Sequence, residues 1–285
     1  MKLPFKVDLN GKTAVVTGGS GVLCSVMAKA LAACGASVAV MARRAESVEK
    51  IAAEIMSEGG VAKGFSCDVM DRDRLEEVEK EIVSEFGGID ILINGAGGNH
   101  PKGTTTKEYL FPEDLSAIDP NITTFFDLDP EGVQFVFNLN FLGTLLPTQV
   151  FLKTMVQKGS GVVINVSSMN AFTPLTKIPA YSGAKAAVSN FTQWLAVHMS
   201  KAGVRVNAIA PGFFVTDQNR ALMMNPDGTP TERGGKVLSN TPLSRFGSPE
   251  ELIGALLWLA DDKSSSFVTG TVIPVDGGFS AYSGV

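Results

Sequence analysis

Short apolar runs rich in β-branched residues alternate with longer amphipathic stretches along the whole chain. The predicted strands are residues 12–17, 37–42, 61–66, 89–93, 161–167, 203–209 and 270–275. Most of them are continuously hydrophobic, as parallel strands are when both faces of their sheet are covered. The stretches between them, including 44–58, 71–86 and 179–202, have the periodicity of helices. This alternation predicts an α/β fold with a doubly wound parallel sheet of about seven strands and helices on both faces.

Two long segments interrupt the alternation. Residues 98–130 and 213–247 are polar and irregular, although 217–224 has the pattern of a short helix. Long irregular loops inside a compact domain usually carry function. We find no internal repeat and no linker, so the sequence predicts one domain over residues 1–285. In that domain 98–130 is an insertion and 213–247 is a lid over a substrate.

The composition and charge limit the kinds of molecule that this protein is expected to bind. Hydrophobic residues make up 45% of the chain and the net charge is −5, so we expect no general attraction to nucleic acid or to anionic membranes. No stretch reads as a signal peptide or a membrane span. Cys24, Cys34 and Cys67 lack the spacing of a disulfide framework, and the two histidines predict no metal site. These features predict a cytoplasmic protein that acts on a small molecule.

A glycine-rich stretch, TGGSGVLC at residues 17–24, joins the first predicted strand to the first predicted helix. The pyrophosphate of a dinucleotide binds at strand-to-helix turns of this kind. The glycine spacing departs from Gly-x-Gly-x-x-Gly, because Cys24 stands where the last glycine is expected. A thiol is small enough to let a helix pack closely on a strand, so we expect a packing role for Cys24 rather than a redox role. Taken alone, the stretch fits either a cofactor loop or a tight turn.

A possible proton-transfer pair lies in the predicted helix 179–202. Tyr181 and Lys185 are four residues apart, which places them on one helical face. A neighbouring ammonium favours the phenolate, so the pair suits general acid–base catalysis near neutral pH. The spacing by itself is more often structural than catalytic. Three further polar motifs follow predicted strands or lie between them and are expected to meet the pair in one crevice: NGAG at 94–97, Asn140 and Ser168.

Together these motifs occur in the order and spacing of the short-chain dehydrogenase/reductase family, which the chain resembles over nearly its whole length. The motifs are TGGSGVLC, Asp68-Val69, NGAG, Asn140, Ser168, Tyr181-x-x-x-Lys185 and Pro211-Gly212-x-x-x-Thr216. The resemblance implies a Rossmann-type fold, an oxidoreductase that acts on a CH–OH group with NAD or NADP, and a homotetramer.

The resemblance also implies residue roles. Tyr181 would be the acid/base and Ser168, rather than Ser167, would bind the substrate oxygen; Lys185 would lower the tyrosine pKa, and Asn140 would hold a water in a proton relay. Asp68 would contact the adenine, and 211–216 would hold the nicotinamide carboxamide. The implied cofactor-binding residues are Gly18, Gly19, Ser20, Gly21, Leu23, Arg43, Asp68, Val69, Asn94, Ala96, Gly97, Tyr181, Lys185, Pro211, Gly212, Phe214 and Thr216.

Stretches outside the shared motifs resemble a smaller group of enzymes within this family. GGNHPK (97–102), SSMNAFTPLTKIPAYS (167–182), FTQWLAVH (191–198), RFGSPEELIGALLWLAD (245–261) and VDGGFSAYSGV (275–285) resemble the D-mannonate oxidoreductases of this family. That resemblance implies interconversion of D-mannonate and D-fructuronate. The alternatives are another sugar, polyol or oxoacyl substrate, or a non-catalytic regulator that binds the cofactor.

The choice between the two nicotinamide cofactors depends on the end of the second strand. An acidic residue there binds the ribose 2′-hydroxyl of NAD, but this chain has Ala42, followed by Arg43 and Arg44. An arginine can pair with a 2′-phosphate instead. The sequence therefore favours NADP and leaves NAD possible.

A sugar acid needs a cation and several hydrogen-bonding groups in its pocket. The candidates lie in the two irregular segments and in the loop before Tyr181: Asn99, His100, Lys102, Asn170, Lys177, Gln218, Asn219 and Arg220. We expect Lys102 or Arg220 to contact the carboxylate. Three other features are expected to be structural: Asp129 as a helix cap before Pro130, Phe191 and Trp194 as core residues, and His198 as a residue without a chemical role.

Overall fold

The computed structural model describes residues 6–115, 119, 121–216 and 219–284. Its centre is a seven-stranded parallel sheet with the strand order β3-β2-β1-β4-β5-β6-β7. The strands are β1 (Thr13–Thr17), β2 (Ser37–Ala42), β3 (Val61–Ser66), β4 (Ile91–Asn94), β5 (Gly161–Val166), β6 (Val204–Pro211) and β7 (Val272–Val275). Each predicted strand overlaps one of these, and the predicted doubly wound parallel sheet is confirmed.

Helices connect the strands and cover both faces of the sheet. They are α1 (Val22–Ala33), α2 (Ala45–Ser57), α3 (Arg72–Phe86), α4 (Pro130–Phe137), α5 (Gly143–Lys158), α6 (Pro179–Met199), α7 (Arg220–Met223), α8 (Glu232–Ser239), α9 (Ile253–Ala260) and α10 (Asp262–Ser265). A short π-helical turn, Asn138–Leu142, joins α4 to α5. The predicted helical pattern at 217–224 contains α7, and residues 217 and 218 lie outside the described part of the chain.

Two hydrophobic layers explain why the strands are apolar throughout. Successive side chains of a strand point to opposite faces. In β1, Ala14 and Val16 pack in the layer that contains α1, α2 and α9, whereas Val15 packs in the layer that contains α3, α5 and α6. All three residues are fully buried, so these central positions of β1 have to be apolar, because a polar side chain there would lack a partner.

The sheet has its topological switch point between β1 and β4. The chain leaves β1 toward β2 on one side, and β4 pairs with β1 on the other side, with Thr17 opposite Asn94 at the carboxyl ends. The Thr17 hydroxyl accepts hydrogen bonds from the backbone N–H groups of Gly95 (3.1 Å) and Ala96 (3.3 Å). Ligands of open α/β sheets bind in the crevice beyond such a point.

The helical stretch from Pro130 to Lys158 is long and apolar enough, by length and composition alone, to cross a membrane. Half of its apolar window is buried inside the protein. Its second half, α5, packs on β4 and β5 and contributes Phe151 and Met155 to the core. The apolar character of the stretch is therefore explained by its position against the sheet.

The two irregular segments lie close to each other. The Lys236 ammonium on α8, in the segment 213–247, forms an ion pair of 3.2 Å with Glu108 in the segment 98–130. The first segment also reaches the loop before α6, because the Thr105 N–H donates to the Lys177 carbonyl at 2.8 Å. These contacts bring the insertion and the predicted lid to the same edge of the molecule.

One prediction about the core is wrong. Phe191 is buried, as expected, but 57% of the Trp194 surface is exposed. Its ring stacks between Phe191 (6.2 Å between centroids) and His198 (4.8 Å) on the outer face of α6. The apolar periodicity of α6 extends beyond the stripe that the sheet covers, and sequence alone does not show where that stripe ends.

Candidate active site

A cleft of about 660 Å³ runs along the carboxyl ends of the strands at the switch point. Most of the residues that the sequence assigned to cofactor and catalysis line it: Gly18, Ser20, Gly21, Leu23, Arg43, Asp68, Val69, Ala96, Gly97, Ser168, Tyr181, Lys185, Pro211 and Gly212. The assigned residues that do not line it are Gly19, Asn94, Asn140, Phe214 and Thr216. Cavities of this size and position commonly hold cofactors.

The turn after β1 is built for a close approach of backbone. Gly18 has a φ of +65°, and a Cβ there would lie 2.8 Å from the Gly95 carbonyl oxygen. Gly19 lies beneath the turn, where its N–H donates to the Met41 carbonyl at 2.9 Å. Gly21 caps α1, and the first turn of α1 contains no acidic residue and no side-chain cap. The first N–H groups of this helix are thus available to an anion such as a pyrophosphate.

Cys24 fits against the loop after β4. Its thiol is buried and lies 3.8 Å from the Gly95 carbonyl oxygen, and burial raises its pKa to about 11. A Cβ on Gly95 would lie only 2.2 Å from the Cys24 sulfur. The thiol therefore occupies space that the absent side chain of Gly95 leaves, and a protonated, buried thiol of this kind packs rather than reacts.

The proton-transfer group lies at the start of α6. Tyr181 is hydrogen-bonded to Ser168 at the end of β5. The Lys185 ammonium lies 5.7 Å from the centre of the Tyr181 ring and donates to the Val166 carbonyl at 2.8 Å. Ser167 faces elsewhere, because its hydroxyl bonds the Lys185 carbonyl (3.2 Å) and the Ser189 hydroxyl (2.7 Å). The structure thus brings Ser168, Tyr181 and Lys185 together at the end of the cleft.

Burial dominates the electrostatics of this group. It raises the pKa of Tyr181 above the ordinary value of 10, and the hydrogen bond with Ser168 acts in the opposite direction. Burial also lowers the pKa of Lys185 to about 8. Burial and Ser168 together account for the pKa shift of Tyr181, so the expected lowering of this pKa by Lys185 stays a prediction. At neutral pH Tyr181 is a neutral phenol that can donate a proton.

Asn140 lies in the π-helical turn, fully buried. Its amide donates to the carbonyls of Gly98 (2.7 Å) and Val136 (2.8 Å) and accepts from the Gly98 N–H (3.2 Å). A Cβ on Gly97 would lie 2.6 Å from the Asn140 amide oxygen and 3.2 Å from the Lys185 ammonium. Asn140 therefore holds the loop after β4 close to Lys185. Such π-turns are frequent at functional sites, and the predicted water relay stays a prediction.

The resemblance implies that Asn94 supports the central strand, and it does so in a buried polar network whose other members, Thr17, Thr148 and Asn165, the motifs did not indicate. The Asn94 amide donates to the Thr148 hydroxyl (2.8 Å) and to the Asn165 amide oxygen (2.9 Å), so it joins β4 to α5 and β5. Thr17 supports the loop after β4 in the same way. The available signal was a lone polar residue within an apolar strand, such as Asn165 in GVVINVS, because a buried amide requires partners.

The adenosine end of the cleft contains no acidic residue at the end of β2. Ala42 stands there, and Arg43 and Arg44 follow with exposed side chains that line the cleft. Asp68, which follows β3, also lines the cleft, and its carboxylate accepts from the Met70 N–H at 2.9 Å. The end of β2 therefore offers two cations where the ribose of a dinucleotide would lie.

The opposite end of the cleft follows β6. Gly212 packs against β7: its N–H donates to the Val275 carbonyl at 2.9 Å, and a Cβ there would lie 2.5 Å from the Asp276 Cα. Phe214 is buried, and the Asn219 side chain accepts from the Thr216 N–H and donates to the Phe214 carbonyl, each at 2.8 Å. Asn219, a substrate candidate in the sequence, therefore fixes the conformation of this loop.

The substrate candidates in the insertion have partners within the protein. The exposed Lys102 ammonium forms a 2.8 Å ion pair with Asp129, which caps α4 by accepting from the Glu131 N–H. The His100 ring lies 5.0 Å from that of Phe135, and its Nδ1 accepts from the Lys102 N–H. The capping role predicted for Asp129 is present. Asp129 already compensates the charge of Lys102, which argues against the carboxylate contact expected for this lysine.

The other substrate candidates differ in burial. Asn170 is buried beside Ser168, whose hydroxyl accepts from the Asn170 N–H at 3.2 Å, and its side-chain oxygen has no hydrogen-bond partner among the described residues. Arg220 is exposed at the first position of α7. Gln218 lies outside the described residues.

Comparison with known proteins decides the family. A family model described as short chain dehydrogenase matches residues 12–226. The chain belongs to the short-chain dehydrogenase family. With this family and this site it is an oxidoreductase that acts on a hydroxyl group with a nicotinamide cofactor. The Rossmann-type fold implied by the resemblance is confirmed.

Three similar proteins illustrate the relationship. An uncharacterised oxidoreductase of Haemophilus influenzae is 56% identical over 100% of this chain and 99% of its own length. The crystal structure of a proposed D-mannonate oxidoreductase from Haemophilus influenza, with NAD bound, superposes with a TM-score of 0.93 at 55% identity and covers 100% of both chains. A gluconate 5-dehydrogenase from Burkholderia cenocepacia, in complex with NADP and tartrate, has a TM-score of 0.81 at 27% identity and covers 98% of each chain.

Proposed function

We propose that this short-chain dehydrogenase interconverts D-mannonate and D-fructuronate. The hydrogen-bonded Tyr181–Ser168 pair beside buried Lys185 carries the proposal, because it supplies proton transfer at the end of a cofactor-sized cleft. The substrate class is supported by similarity over the whole chain to a proposed D-mannonate oxidoreductase. The gluconate 5-dehydrogenase in complex with NADP and tartrate, a hydroxy acid, also supports a hydroxy acid as the class of substrate.

The proposed mechanism assigns the proton to Tyr181. A bound reduced nicotinamide supplies hydride to the carbonyl carbon of the substrate. Tyr181 donates its phenolic proton to the carbonyl oxygen, and the Ser168 hydroxyl donates a hydrogen bond to that oxygen. The Lys185 ammonium stabilises the phenolate that is left, since it lies beside the Tyr181 ring in a buried position. Oxidation of D-mannonate follows the reverse order.

We propose NADP(H) as the preferred cofactor, with NAD(H) also accepted. Ala42 offers no carboxylate to a ribose 2′-hydroxyl, and Arg43 lines the cleft with an exposed guanidinium that suits a 2′-phosphate. The relative from Haemophilus influenza holds NAD, and that from Burkholderia cenocepacia holds NADP. The test is kcat/KM for both cofactors in wild type and Arg43→Ala. In Arg43→Ala we expect kcat/KM to fall for NADPH and to stay unchanged for NADH. A higher kcat/KM for NADH than for NADPH in wild type contradicts the assignment.

Asn170 is proposed to bind a hydroxyl group of the substrate. A buried carbonyl oxygen without a hydrogen-bond donor lowers stability by roughly 1–3 kcal/mol. The side-chain oxygen of Asn170 is such a group, and the backbone N–H of the same residue donates to the Ser168 hydroxyl. A sugar acid provides several O–H donors that can remove this cost. Asn170→Ala is expected to raise KM for the sugar acid without changing the affinity for the cofactor.

The substrate proposal is tested by cofactor oxidation with a panel of carbonyl compounds. We expect D-fructuronate to have the highest kcat/KM, above D-fructose, other ketoses and oxoacyl thioesters. Equal or greater efficiency with an oxoacyl thioester contradicts the sugar-acid assignment. A protein that binds the cofactor but reduces none of these compounds fits the alternative of a non-catalytic regulator.

We propose that the protein is a homotetramer built in part on the outer surface of α5 and α6. Trp194 and Val197 are exposed there, and Trp194 borders a groove of about 630 Å³ that is also lined by Leu145, Leu152 and Val156. Large exposed apolar surfaces of this kind mark protein–protein contacts. A second copy of the chain would bury the same helix that begins with the catalytic residues.

A further inference from the structure

The cations around the substrate end of the cleft differ in their partners. The ion pairs there join Lys102 to Asp129, Lys107 to Asp114, Lys236 to Glu108 and Glu232, and Arg245 to Glu251. Across the described residues 98–115, 169–184 and 211–247, only Lys177, Arg220 and Arg233 form no ion pair. Arg220 and Arg233 are exposed, whereas Lys177 is partly buried.

Lys177 also has an unusual backbone. Its φ is +71°, and among the described residues only Ser244 is another non-glycine with a positive φ. The left-handed conformation costs an ordinary L-residue roughly 1–2 kcal/mol, and glycine or asparagine adopts it more readily. The fold requires this conformation here, because the Lys177 carbonyl accepts from the Thr105 N–H of the insertion at 2.8 Å. A lysine at such a position points to a use for its side chain.

The position of Lys177 suits a ligand that is bound at Tyr181. Lys177 precedes Ile178, the residue that caps α6, and Tyr181 lies in the first turn of that helix. This turn contains no acidic side chain that would compete for the ammonium. In D-fructuronate four carbon–carbon bonds separate the ketone carbon from the carboxylate carbon, about 5 Å when extended. The first turn of α6 has a similar length, about 5.4 Å, so a substrate whose oxygen lies at Tyr181 can extend its carboxylate toward the residues that precede the helix.

We propose that Lys177 binds the substrate carboxylate and selects sugar acids over uncharged sugars. This inference rests on the proposed function, because it requires a substrate with a carboxylate at one end and a ketone near the other. It replaces Lys102, whose charge Asp129 already compensates. The insertion has an indirect role, since the Thr105 N–H holds the Lys177 backbone in place.

The test compares D-fructuronate with D-fructose, which has a hydroxymethyl group in place of the carboxylate. Lys177→Met removes the charge and keeps the side-chain length, Lys177→Gly removes the charge and the backbone strain, and Lys177→Arg keeps the charge. Lys102→Met is the matched control, because it removes an exposed cation whose charge Asp129 already compensates. The measurements are KM and kcat for both ketones, the Kd of NADPH and the Tm of each variant.

We expect Lys177→Met and Lys177→Gly to raise KM for D-fructuronate by about 10-fold or more, as loss of a charge-assisted hydrogen bond implies. Lys177→Arg and Lys102→Met should stay within about threefold of wild type. The kinetics with D-fructose and the Kd of NADPH should not change. Because both charge-removing variants are expected to behave alike, backbone strain is separated from charge.

Three outcomes overturn the assignment. The first is an unchanged KM for D-fructuronate in Lys177→Met. The second is an equal rise in KM for D-fructose, and the third is a rise in KM that occurs only in Lys177→Gly. Each means that Lys177 has a structural role or none, while wild-type activity with D-fructuronate still supports the proposed function. A wild-type protein that does not reduce D-fructuronate overturns the proposed substrate and this assignment together.

Discussion

Lys185 shows at the scale of one residue how function and stability conflict. Its ammonium is buried, and its hydrogen bond goes to a neutral carbonyl, that of Val166, rather than to a carboxylate. Burial lowers its pKa to about 8 from the ordinary 10.5. The protein thus keeps a poorly hydrated cation next to Tyr181, where it can stabilise a phenolate during turnover.

Replacing Lys185 with methionine is expected to abolish turnover and to change how stability depends on pH. Between pH 8 and 10.5 the unfolded chain binds more protons at Lys185 than the folded chain, so the contribution of Lys185 to the free energy of unfolding rises with pH. Below pH 8 this contribution is constant and unfavourable. Relative to wild type, Lys185→Met should therefore be more stable at pH 7 than at pH 10, by about 2 kcal/mol. Urea unfolding at both pH values measures this difference. A difference that does not depend on pH contradicts the proposed burial penalty.

The sequence could indicate Ser168, Tyr181 and Lys185 because their spacing follows from a helix and from the end of a strand. It could not show that Lys102 is paired with Asp129 or that Lys177 has a left-handed backbone. Both features depend on contacts between segments that only the folded chain brings together. The sign of the Tyr181 pKa shift depends in the same way on burial.

At the scale of elements, α1 and the loop after β4 have side chains of matched size. The Cys24 sulfur lies where a side chain on Gly95 would project. The sequence showed only that Cys24 stands in place of a glycine in the cofactor turn. The compensating glycine is 71 residues away in the sequence, so the pair becomes visible only when β1 and β4 are known to be neighbours.

Gly95→Ala is expected to destabilise the protein by about 1–3 kcal/mol, as overpacking does, because the new methyl group would meet the Cys24 sulfur. Cys24→Ala in the same chain should recover part of that loss, although the methyl group would still approach the Thr17 carbonyl at 2.9 Å. A double-mutant cycle on thermal or urea unfolding measures the coupling between the two positions. Strict additivity of the two substitutions means that the matched packing is absent.

The strands and main helices were predictable because each has a hydrophobic period of its own. The insertion was not, since the three 3-10 turns of its described part, Pro101–Gly103, Pro112–Leu115 and Phe125–Asp127, have no hydrophobic period. The first of them packs against α4 and α6, which the sequence does not show. The exposure of Trp194 was missed for a related reason. A helix shows which residues share a face, but not whether the sheet or solvent covers that face.

At the scale of the whole molecule, the parallel sheet determines where the chemistry takes place. All seven strands point the same way, so the turns after the six strands β1 to β6 meet along one cleft. The alternation of strands and helices predicts such a sheet, and the motifs predict which turns matter. The strand order itself is known only from the structure.

The proposed tetramer predicts a change of size when the surface of α5 and α6 becomes charged. Trp194→Glu should yield smaller particles in light scattering coupled to size exclusion, because an exposed apolar ring would become a repelled carboxylate at a contact between copies. Glu79→Gln, at a charged residue of α3, is the matched control and should leave the size unchanged. A wild-type protein that elutes as a monomer contradicts the tetramer directly.

The most direct test of the central claim is the reduction of D-fructuronate by wild type and by Tyr181→Phe. Wild type should oxidise NADPH or NADH in step with the appearance of D-mannonate, identified by chromatography against the epimeric acid. Tyr181→Phe should bind the cofactor with wild-type affinity and lose about 10²–10⁴-fold in kcat, the usual contribution of general acid–base catalysis. Full activity in Tyr181→Phe, or no D-mannonate from wild type, contradicts the account.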